Sequence, residues 1–549
     1  MTAQEIFEQI LKARGLASEN ARASFLAPDY QAFKYDPFLL PDMEKAVARI
    51  IRAKERGERV VIYGDYDIDG LTATSVLLEA LPLFGIDVGA FIPNRFVEGY
   101  GLSKHAIHEL AEAGAELIIT VDCGSLSHAE ITLAHELGVD VIVTDHHNVT
   151  PEMPPAVAVI NPKRTDHSYP FIDLAGVGVA FKLVQALQQK IEGMPDGQEK
   201  WLLDLVALGT VCDIVSLVDE NRANVFWGLR VMQKTRRPGL LALAAVAGVD
   251  ITNITARHLG FVLGPHLNAA GRLDTASRSL DVLRAATGSE AMEAAKILRE
   301  MNLARRAEQD AIFIAAKAQA EQFADDPVLV LSHQEWSHGI IGIVAAKILE
   351  LYKKPTFILQ ELSDQAKGSA RSFGDFSAAD AIRAAEEHII KGGGHKLAAG
   401  VTLEPHKIID FRRAVNSYYH SLQLQDQSQH LEAKHDITLT MLSGVNEELL
   451  RLLAMLEPFG QANNMPVFSF EGLRVVGRRE MGADKSHLKL TLSDADNNLL
   501  DVVAWGRAKD IPFQPGDTVS VKCTIELNEW NGRRSVQGKL LRIELRDSG

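Results

Sequence analysis

Between residues 59 and 160, short apolar runs alternate with longer stretches of mixed character. RVVIY (59–63) is followed by a Leu- and Ala-rich run from Leu71, then VGAFIP (88–93), Ser103 to Ala113, LIITV (117–121), Ser127 to Leu137, VDVIVT (139–144) and AVAVI (156–160). Strand-like runs separated by helix-like ones predict crossover units, hence an α/β fold with a parallel sheet covered by helices on both faces. From about Ala285 to Phe323, Gly288 is the only strong breaker, and apolar residues recur at helical spacing. A helix of that length reaches roughly 50 Å, enough to join two lobes; a helical hairpin inside one domain is the alternative. After Pro327, VLVLS, HGIIGIVAAKI and TFILQ predict a second α/β unit running to about Asp426, and the polar stretch 423–435 reads as a linker or surface crossing. From Pro466 the pattern shortens to PVFSF, LRVVG, HLKLTL, LLDVVAWG, TVSVKCTIEL and SVQGKLLRIEL. Short strands with turn residues between them predict a small barrel or sandwich.

Composition narrows the function classes. The chain has 549 residues, with 57 Lys and Arg against 72 Asp and Glu, a net charge of −15, which argues against a simple polyanion-coating protein. The acidity is uneven: Val467 to Gly549 carries 13 Lys and Arg against 12 Asp and Glu, or +1, leaving −16 for residues 1–466. A hydrophobic content of 46% with 23% charged residues is ordinary for about two to four globular domains. No apolar run approaches the ~18 residues needed to span a bilayer, and MTAQEIFEQI has no basic segment before an apolar one, so a soluble protein without membrane association is expected. Cys123, Cys212 and Cys523 are too few for a disulfide framework, which fits a reducing cytoplasm.

Candidate chemistry concentrates at strand ends. In VVIYGDYDIDG, Asp65, Asp67 and Asp69 leave the first predicted strand; ITVDCG puts Asp122 at the end of a later one, and VTDHH puts Asp145, His146 and His147 at the next. In open parallel sheets the ligand crevice lies at the carboxyl ends of the strands, so these residues can converge. Grouped carboxylates repel one another unless cations neutralise them. Oxygen donors with one or two imidazoles suit Mg²⁺ or Mn²⁺, and a bridging carboxylate can hold two ions about 4 Å apart. The bland alternative for any one Asp at a strand end is a helix cap or turn, but three such motifs on successive strands argue for a site. Cys123 and Cys212, beside Asp122 and Asp213, read as small side chains packed beneath the site, since hard cations gain little from thiolate.

GDYDIDG, VDCGS, TDHH and GTVCDIVSL follow one another as the four signature motifs of the DHH phosphoesterase superfamily do, and NRFVEGYGL, GPHLNAAGRL, GSARS and GGGHKLAAG make the chain resemble its bacterial single-strand-specific exonucleases. The resemblance runs from about Phe33 to Leu545. It implies an N-terminal segment and DHH catalytic domain over 1–284, a linking helix over 285–324, a DHHA1 domain over 325–426, and a linker with an oligonucleotide-binding barrel over 427–549. The implied activity is metal-dependent, processive hydrolysis of single-stranded DNA from the 5′ end to mononucleotides, in DNA repair and recombination, with a helicase and a single-strand-binding protein as partners. The implied ligands of two Mn²⁺ or Mg²⁺ ions are Asp67, Asp69, Asp122, His146 and Asp213, with Asp122 bridging. Asp65 joins this set or, like Asp145, orients ligands or water. His147 contacts the scissile phosphate, assists proton transfer, or is a hydrogen-bonded structural residue. Two features depart from the pattern: His266 stands where such sequences usually have Arg, and GQANNMPVF has Ala462 and Asn464 in place of the usual glycine and proline.

A hydrolase of chain ends needs cations aimed at phosphates. Arg95, Arg272, Ser369, Arg371 and His395 are expected to line a phosphate pocket facing the metals, with the glycines before His395 letting backbone N–H groups approach an anion. For the glycine run the plain alternative is a turn, and for the arginines a solvated or salt-bridged surface. HGIIGIVAAKI reads mainly as a buried helix, with Trp336 and His338 as further nucleotide neighbours. In the barrel, Trp530 beside the hairpin residues Asn531 and Gly532, with Arg533 and Arg534 following, suits base stacking, whereas Trp505 is expected to be buried. Two rival functions remain open at this stage: a small-molecule phosphoesterase, disfavoured by the appended barrel, and a noncatalytic scaffold, disfavoured by the occupied ligand positions.

Overall fold

A computed structural model describes all residues except Phe96, Tyr100, 425–433, Asn531 and 547–549, together with the side chain of Trp530. The chain divides into two compact units. The first comprises Met1–Gly264, Leu283–Ala286 and Ala433–Gly549; the second comprises Pro265–Val282 and Thr287–Glu432.

The first unit is built on five strands: β1 (Val60–Tyr63), β2 (Val88–Phe91), β3 (Leu117–Val121), β4 (Asp140–Thr144) and β5 (Ala158–Ile160). Their order is β2-β1-β3-β4-β5 and every pairing is parallel, as the alternating pattern predicts. β1 and β3 are buried along their whole length, so both faces read as apolar. Helix Ile68–Leu83 is buried almost all round, because helices Gly176–Lys190 and Leu203–Cys212 both pack on it. Helix Asp219–Met232 packs in turn on Leu203–Cys212. Between these helices Lys182 Nζ meets Glu220 at 2.5 Å with both side chains buried, and it also donates to the Tyr35 carbonyl at 2.9 Å. Tyr169 hydrogen-bonds the same carboxylate. Burial lowers the Lys182 pKa despite the partner charge. Such a pair specifies the packing, since removing either member strands a charge in the interior.

The C-terminal segment of this unit forms β11 to β16, numbered after the five strands of the second unit: β11 (Ile437–Leu439), β12 (Phe468–Met481), β13 (His487–Ser493), β14 (Leu499–Ala504), β15 (Thr518–Trp530) and β16 (Arg533–Leu545). The order β11-β12-β13-β14-β16-β15, with β12 also pairing β15, closes a five-stranded barrel. PVFSF and LRVVG, which read as two strands, form one: β12 bends through Gly472, whose φ of 71° only glycine takes without strain, and its pairing with β15 shifts between Phe470 and Leu473. β15 and β16 join through Asn531, which lies outside the described residues, and Gly532 at φ 74°; Trp530 pairs with Arg533.

Helix Ala3–Ala13 belongs to this barrel. Thr2 and Glu5 form a capping box at its start. Ile6, Phe7, Ile10 and Leu11 share one core with Phe468, Leu488, Leu490 and Val519. Arg14 fastens the helix end through Asp436 (2.8 Å), Asn463 (2.9 Å) and the Asn464 carbonyl (2.7 Å).

The second unit contains β6 (Leu329–His333), β7 (Thr356–Glu361), β8 (Ala366–Arg371), β9 (Lys391–Gly394) and β10 (Ala398–Leu403), ordered β6-β7-β8-β10-β9. Only β6 and β7 are parallel; the other pairings are antiparallel. Helix His338–Tyr352 packs on one face with the 34-residue helix Gly288–Glu321 beside it, and helices Ala378–Ala384 and Ile408–Ser421 pack on the other. Among the described residues, no helix is long and apolar enough to cross a membrane.

Candidate metal centre and phosphate-binding residues

The loop after β1 turns sharply into helix Ile68–Leu83. A Cβ on Gly70 would sit 2.6 Å from the Asp65 backbone nitrogen, so only glycine permits this return. Asp67 caps the helix, its Oδ1 accepting from the N–H groups of Asp69 (2.9 Å) and Gly70 (3.1 Å). Asp69 is fully buried, and its two oxygens accept from the backbone of Gly176 (2.6 Å) and Val177 (2.9 Å) at the start of helix Gly176–Lys190. Two N–H groups of the first helical turn, which have no partner within the helix, and the positive end of that helix hold the carboxylate in place. Sequence reading missed this cradle, because backbone donors leave no side-chain signature. The one available clue was the glycine pair Gly176 and Gly178 at a helix start.

Asp122 ends β3 in the left-handed region at φ 62°, which aspartate tolerates better than most residues. Asp145 ends β4 and organises its neighbours. Its Oδ2 accepts from the Ser125 backbone at 3.0 Å, and its Oδ1 accepts from the backbone of His146 (2.7 Å) and His147 (3.1 Å) and pairs with His147 Nδ1 at 2.8 Å. Burial alone would raise the Asp145 carboxyl, but the hydrogen bond and charge of His147 hold it well below the ordinary value. Burial opposes the charge on His147, and Asp145 overcomes it, raising the imidazole pKa. Asn161, also unanticipated, supports this corner by donating to Ser125 Oγ and the His147 carbonyl, both at 2.9 Å.

His146 Nε2 lies 3.1 Å from Asp122 Oδ1, 3.5 Å from Asp213 Oδ2 and 3.8 Å from Asp69 Oδ2. Three groups, Asp122 with His146 and His147, Asp69 with His146 and Asp213, and Asp65 with Asp67 and Asp122, each bring ligand atoms within 4.8 Å of one another. Asp122 and His146 each belong to two groups. Asp65 Oδ1, His146 Nε2 and Asp213 Oδ2 are buried without a hydrogen bond. Each such atom costs about 1–3 kcal/mol in a dry interior, so their clustering fits a bound cation. Burial, followed by the neighbouring carboxylates, raises Asp122 and Asp65 well above the usual range, Asp69 to about 7 and Asp213 to about 9. Burial lowers His146 to about 3, leaving a neutral imidazole with a lone pair to share. These oxygen donors and one imidazole match Mn²⁺ or Mg²⁺. Cys123 is buried with its thiol pKa pushed up by desolvation, as expected of a packing residue. Cys212 Sγ lies 3.6 Å from the Leu259 carbonyl.

Of the expected phosphate contacts, Arg95 belongs to the first unit, its guanidinium 5.1 Å from the centre of the Tyr66 ring, between Asp65 and Asp67 in sequence. Arg272, Ser369, Arg371 and His395 belong to the second unit. There Arg272 donates to the Gly339 carbonyl at 2.9 Å, at the start of helix His338–Tyr352. Arg371 donates to Ser369 Oγ at 3.0 Å, and both approach Gly342 so closely that a Cβ there would stand 3.0 and 3.1 Å from them. His395 is exposed in the turn between β9 and β10, and Ala398, whose carbonyl accepts its N–H, pairs with Arg371 across β8. His266 is buried. Two tryptophans differ from expectation. Trp505 is 52% exposed, its ring edge-on to His487 at 5.0 Å, because Leu500, Val502 and Ala504 point inward and the next residue therefore points out. Trp336 is buried at 4% exposure in the core with Leu331 and Ile340, which removes it from the nucleotide neighbours. The Trp530 side chain lies outside the described residues.

A parallel five-stranded sheet carrying an Asp and His cluster at its carboxyl edge, followed by a mixed-sheet unit and a small barrel, defines a DHH-type protein. Family models agree: the DHH family N-terminal domain matches residues 59–210, the DHHA1 domain 325–421 and the RecJ OB domain 436–542. The single-stranded-DNA-specific exonuclease RecJ of Haemophilus influenzae is 34% identical over 91% of this chain and 90% of its own length. That of Bacillus subtilis is 35% identical over 96% of this chain, which spans 66% of the Bacillus protein. The crystal structure of RecJ from Thermus thermophilus in complex with Mn²⁺ superposes with a TM-score of 0.84 at 30% identity, covering 98% of this chain and 76% of that one. The chain belongs to the RecJ family.

Proposed function

We infer that this chain is a metal-dependent exonuclease that hydrolyses single-stranded DNA processively from its 5′ end, releasing mononucleotides, in DNA repair and recombination. The observation that carries the reading is the convergence of Asp65, Asp67, Asp69, Asp122, His146 and Asp213 in overlapping groups of ligand atoms, among which Asp65 Oδ1, His146 Nε2 and Asp213 Oδ2 are buried without a hydrogen bond. The ligand set is Asp67, Asp69, Asp122, His146 and Asp213, with Asp65 completing it and Asp122 shared. Two Mn²⁺ or Mg²⁺ ions bound there supply Lewis acidity for the scissile phosphate and a lowered pKa for an attacking water. The Gly176 and Val177 N–H groups keep Asp69 aimed at the site. His146 contributes a neutral nitrogen. His147, held by Asp145, offers its other ring nitrogen to a phosphate oxygen or a proton in transit. Arg95 neutralises phosphate charge beside the acidic loop, while Arg272, Ser369, Arg371 and His395 contribute phosphate contacts from the second unit. Exposed Trp505 gives the barrel a surface for base stacking, and Trp530 is proposed as a second stacking residue from its place in the sequence. We propose as partners a helicase that exposes the single strand and a single-strand-binding protein that covers it, and a cytoplasmic location, where such DNA is found.

Digestion of end-labelled single- and double-stranded DNA and RNA with Mn²⁺, Mg²⁺ or chelator tests the reading. Single-stranded DNA is expected to yield mononucleotides from the 5′ end only with metal, and Asp122→Ala is expected to abolish turnover in a folded protein. Metal-independent cleavage, or near-normal activity of Asp122→Ala, overturns it.

A further inference from the structure

A cleft of about 350 Å³ opens in the first unit, away from the carboxylate cluster, between helix Asp219–Met232 and the turn at Glu457 and Pro458. Phe226, Leu229, Arg230 and Gln233 line it from one helical face at spacings of three and four residues. Phe226, Leu229, Ile254 and Pro458 give it buried apolar residues, while Arg230, Gln233 and Glu457 give it a polar lining. The Arg230 guanidinium carbon lies over the Phe226 ring, 3.4 Å from its centre, and the group donates to the Phe226 carbonyl at 2.8 Å. Among the described residues, neither Arg230 nor Glu457 forms an ion pair. A cation and a carboxyl thus line one cleft without neutralising each other, with the Gln233 amide beside them.

The volume sits at the low end of the range for small-ligand pockets, roughly 300–1,000 Å³, too small for a strand. A fitting occupant carries an anion for Arg230, hydrogen-bond donors for Glu457 and a flat ring system that can lie against the apolar residues. We propose that this cleft binds a purine nucleoside 5′-monophosphate, guanine preferred: Arg230 takes the phosphate, the base lies against Phe226, Leu229, Ile254 and Pro458, and Glu457 accepts from the base edge. Guanine alone among the DNA bases presents two adjacent donors, N1–H and N2–H, that match both oxygens of a carboxylate. The site would then register the product class of the enzyme's own reaction; that role rests on the exonuclease reading, whereas the binding does not.

Equilibrium dialysis of the full chain in chelator, with dGMP, dAMP or inorganic phosphate as probe, excludes the metal centre as the binder. Saturable one-to-one binding of dGMP is expected, at least tenfold tighter than dAMP or phosphate. Arg230→Ala is expected to weaken dGMP at least tenfold. Ala454→Trp, which fills the cleft from an exposed wall position, is expected to abolish binding while leaving hydrolysis of single-stranded DNA intact. Absence of saturable dGMP binding, or binding that both variants retain, overturns the proposal. Wild-type hydrolysis without dGMP binding sinks this inference alone, and dGMP binding without hydrolysis sinks the exonuclease reading alone.

Discussion

Adding one methyl group at Gly176 separates catalytic positioning from folding. A Cβ there would stand 2.7 Å from both Cβ and Oδ1 of Asp122, whereas ordinary contact begins near 3.4 Å, so about 0.7 Å must be made up. Asp122 cannot swing away freely: its N–H donates to the Thr144 carbonyl at 3.0 Å, and its backbone already occupies the left-handed region. Gly176 cannot retreat freely either, because its own N–H holds Asp69 at 2.6 Å. The methyl therefore separates two of the proposed ligands. Misplacement of reacting groups by about 1 Å costs on the order of 100-fold in rate, or ~2.7 kcal/mol of barrier. Stability moves the other way in part: Gly176 opens a helix without a positive φ, and alanine is favoured over glycine in helices by ~1 kcal/mol, offsetting overpacking of similar size. Gly176→Ala is thus expected to keep its melting temperature within a few degrees while kcat on 5′-labelled single strands in Mn²⁺ falls about 100-fold. A kcat within threefold of the parent protein would refute the argument that this glycine sets the spacing of Asp69 and Asp122.

Three further outcomes follow from other parts of the molecule. Arg371→Ala is expected to weaken single-strand binding and to reduce the slope of log affinity against log salt by about 1, measured by anisotropy across a salt titration; an unchanged slope would remove Arg371 from the phosphate contacts. Ala462 holds φ 61°, a conformation that costs a non-glycine residue ~1–2 kcal/mol, so Ala462→Gly is expected to raise the melting temperature, and a lowered one would contradict the strain. Asp42 is held by Lys45 at 2.7 Å and Arg164 at 2.6 Å. Burial works against its charge, but these partners lower its pKa, so its contribution is complete above the ordinary value near 3.9 and is lost as pH falls through the folded-state value. Asp42→Asn should lose stability at neutral pH and converge with the parent in acid unfolding curves; a constant gap down to pH 2 would exclude this linkage.

The parallel sheet was legible because β1, β3 and β4 are buried on both faces and so appear as unbroken apolar runs. The carboxylate cluster was legible because parallel strands deliver their ends to one edge, and Asp and His there are conspicuous. Gly176 and Val177 escaped notice because they act through backbone N–H groups. Trp336 and Trp505 exchanged roles between sequence and structure for different reasons: the first lies where the chain between β6 and its helix dips into the core, and the second follows the inward residues of β14 by one step. The N-terminal helix was not anticipated, and even its apolar stripe of Ile6, Phe7, Ile10 and Leu11 states only that a face is buried. Its partner, more than 400 residues away in sequence, could not be read from local pattern.

That partnership constrains biosynthesis. Helix Ala3–Ala13 leaves the ribosome long before its core partners, which begin at Ile437. At about 5–20 residues per second, roughly 20–85 s separate them. Through that interval Ile6, Phe7, Ile10 and Leu11 have no permanent cover, and the growing chain must carry an unsatisfied apolar face past the completion of the sheet that holds the carboxylates. A bulky group attached beside this helix would then disturb a barrel encoded more than 400 residues later in the message.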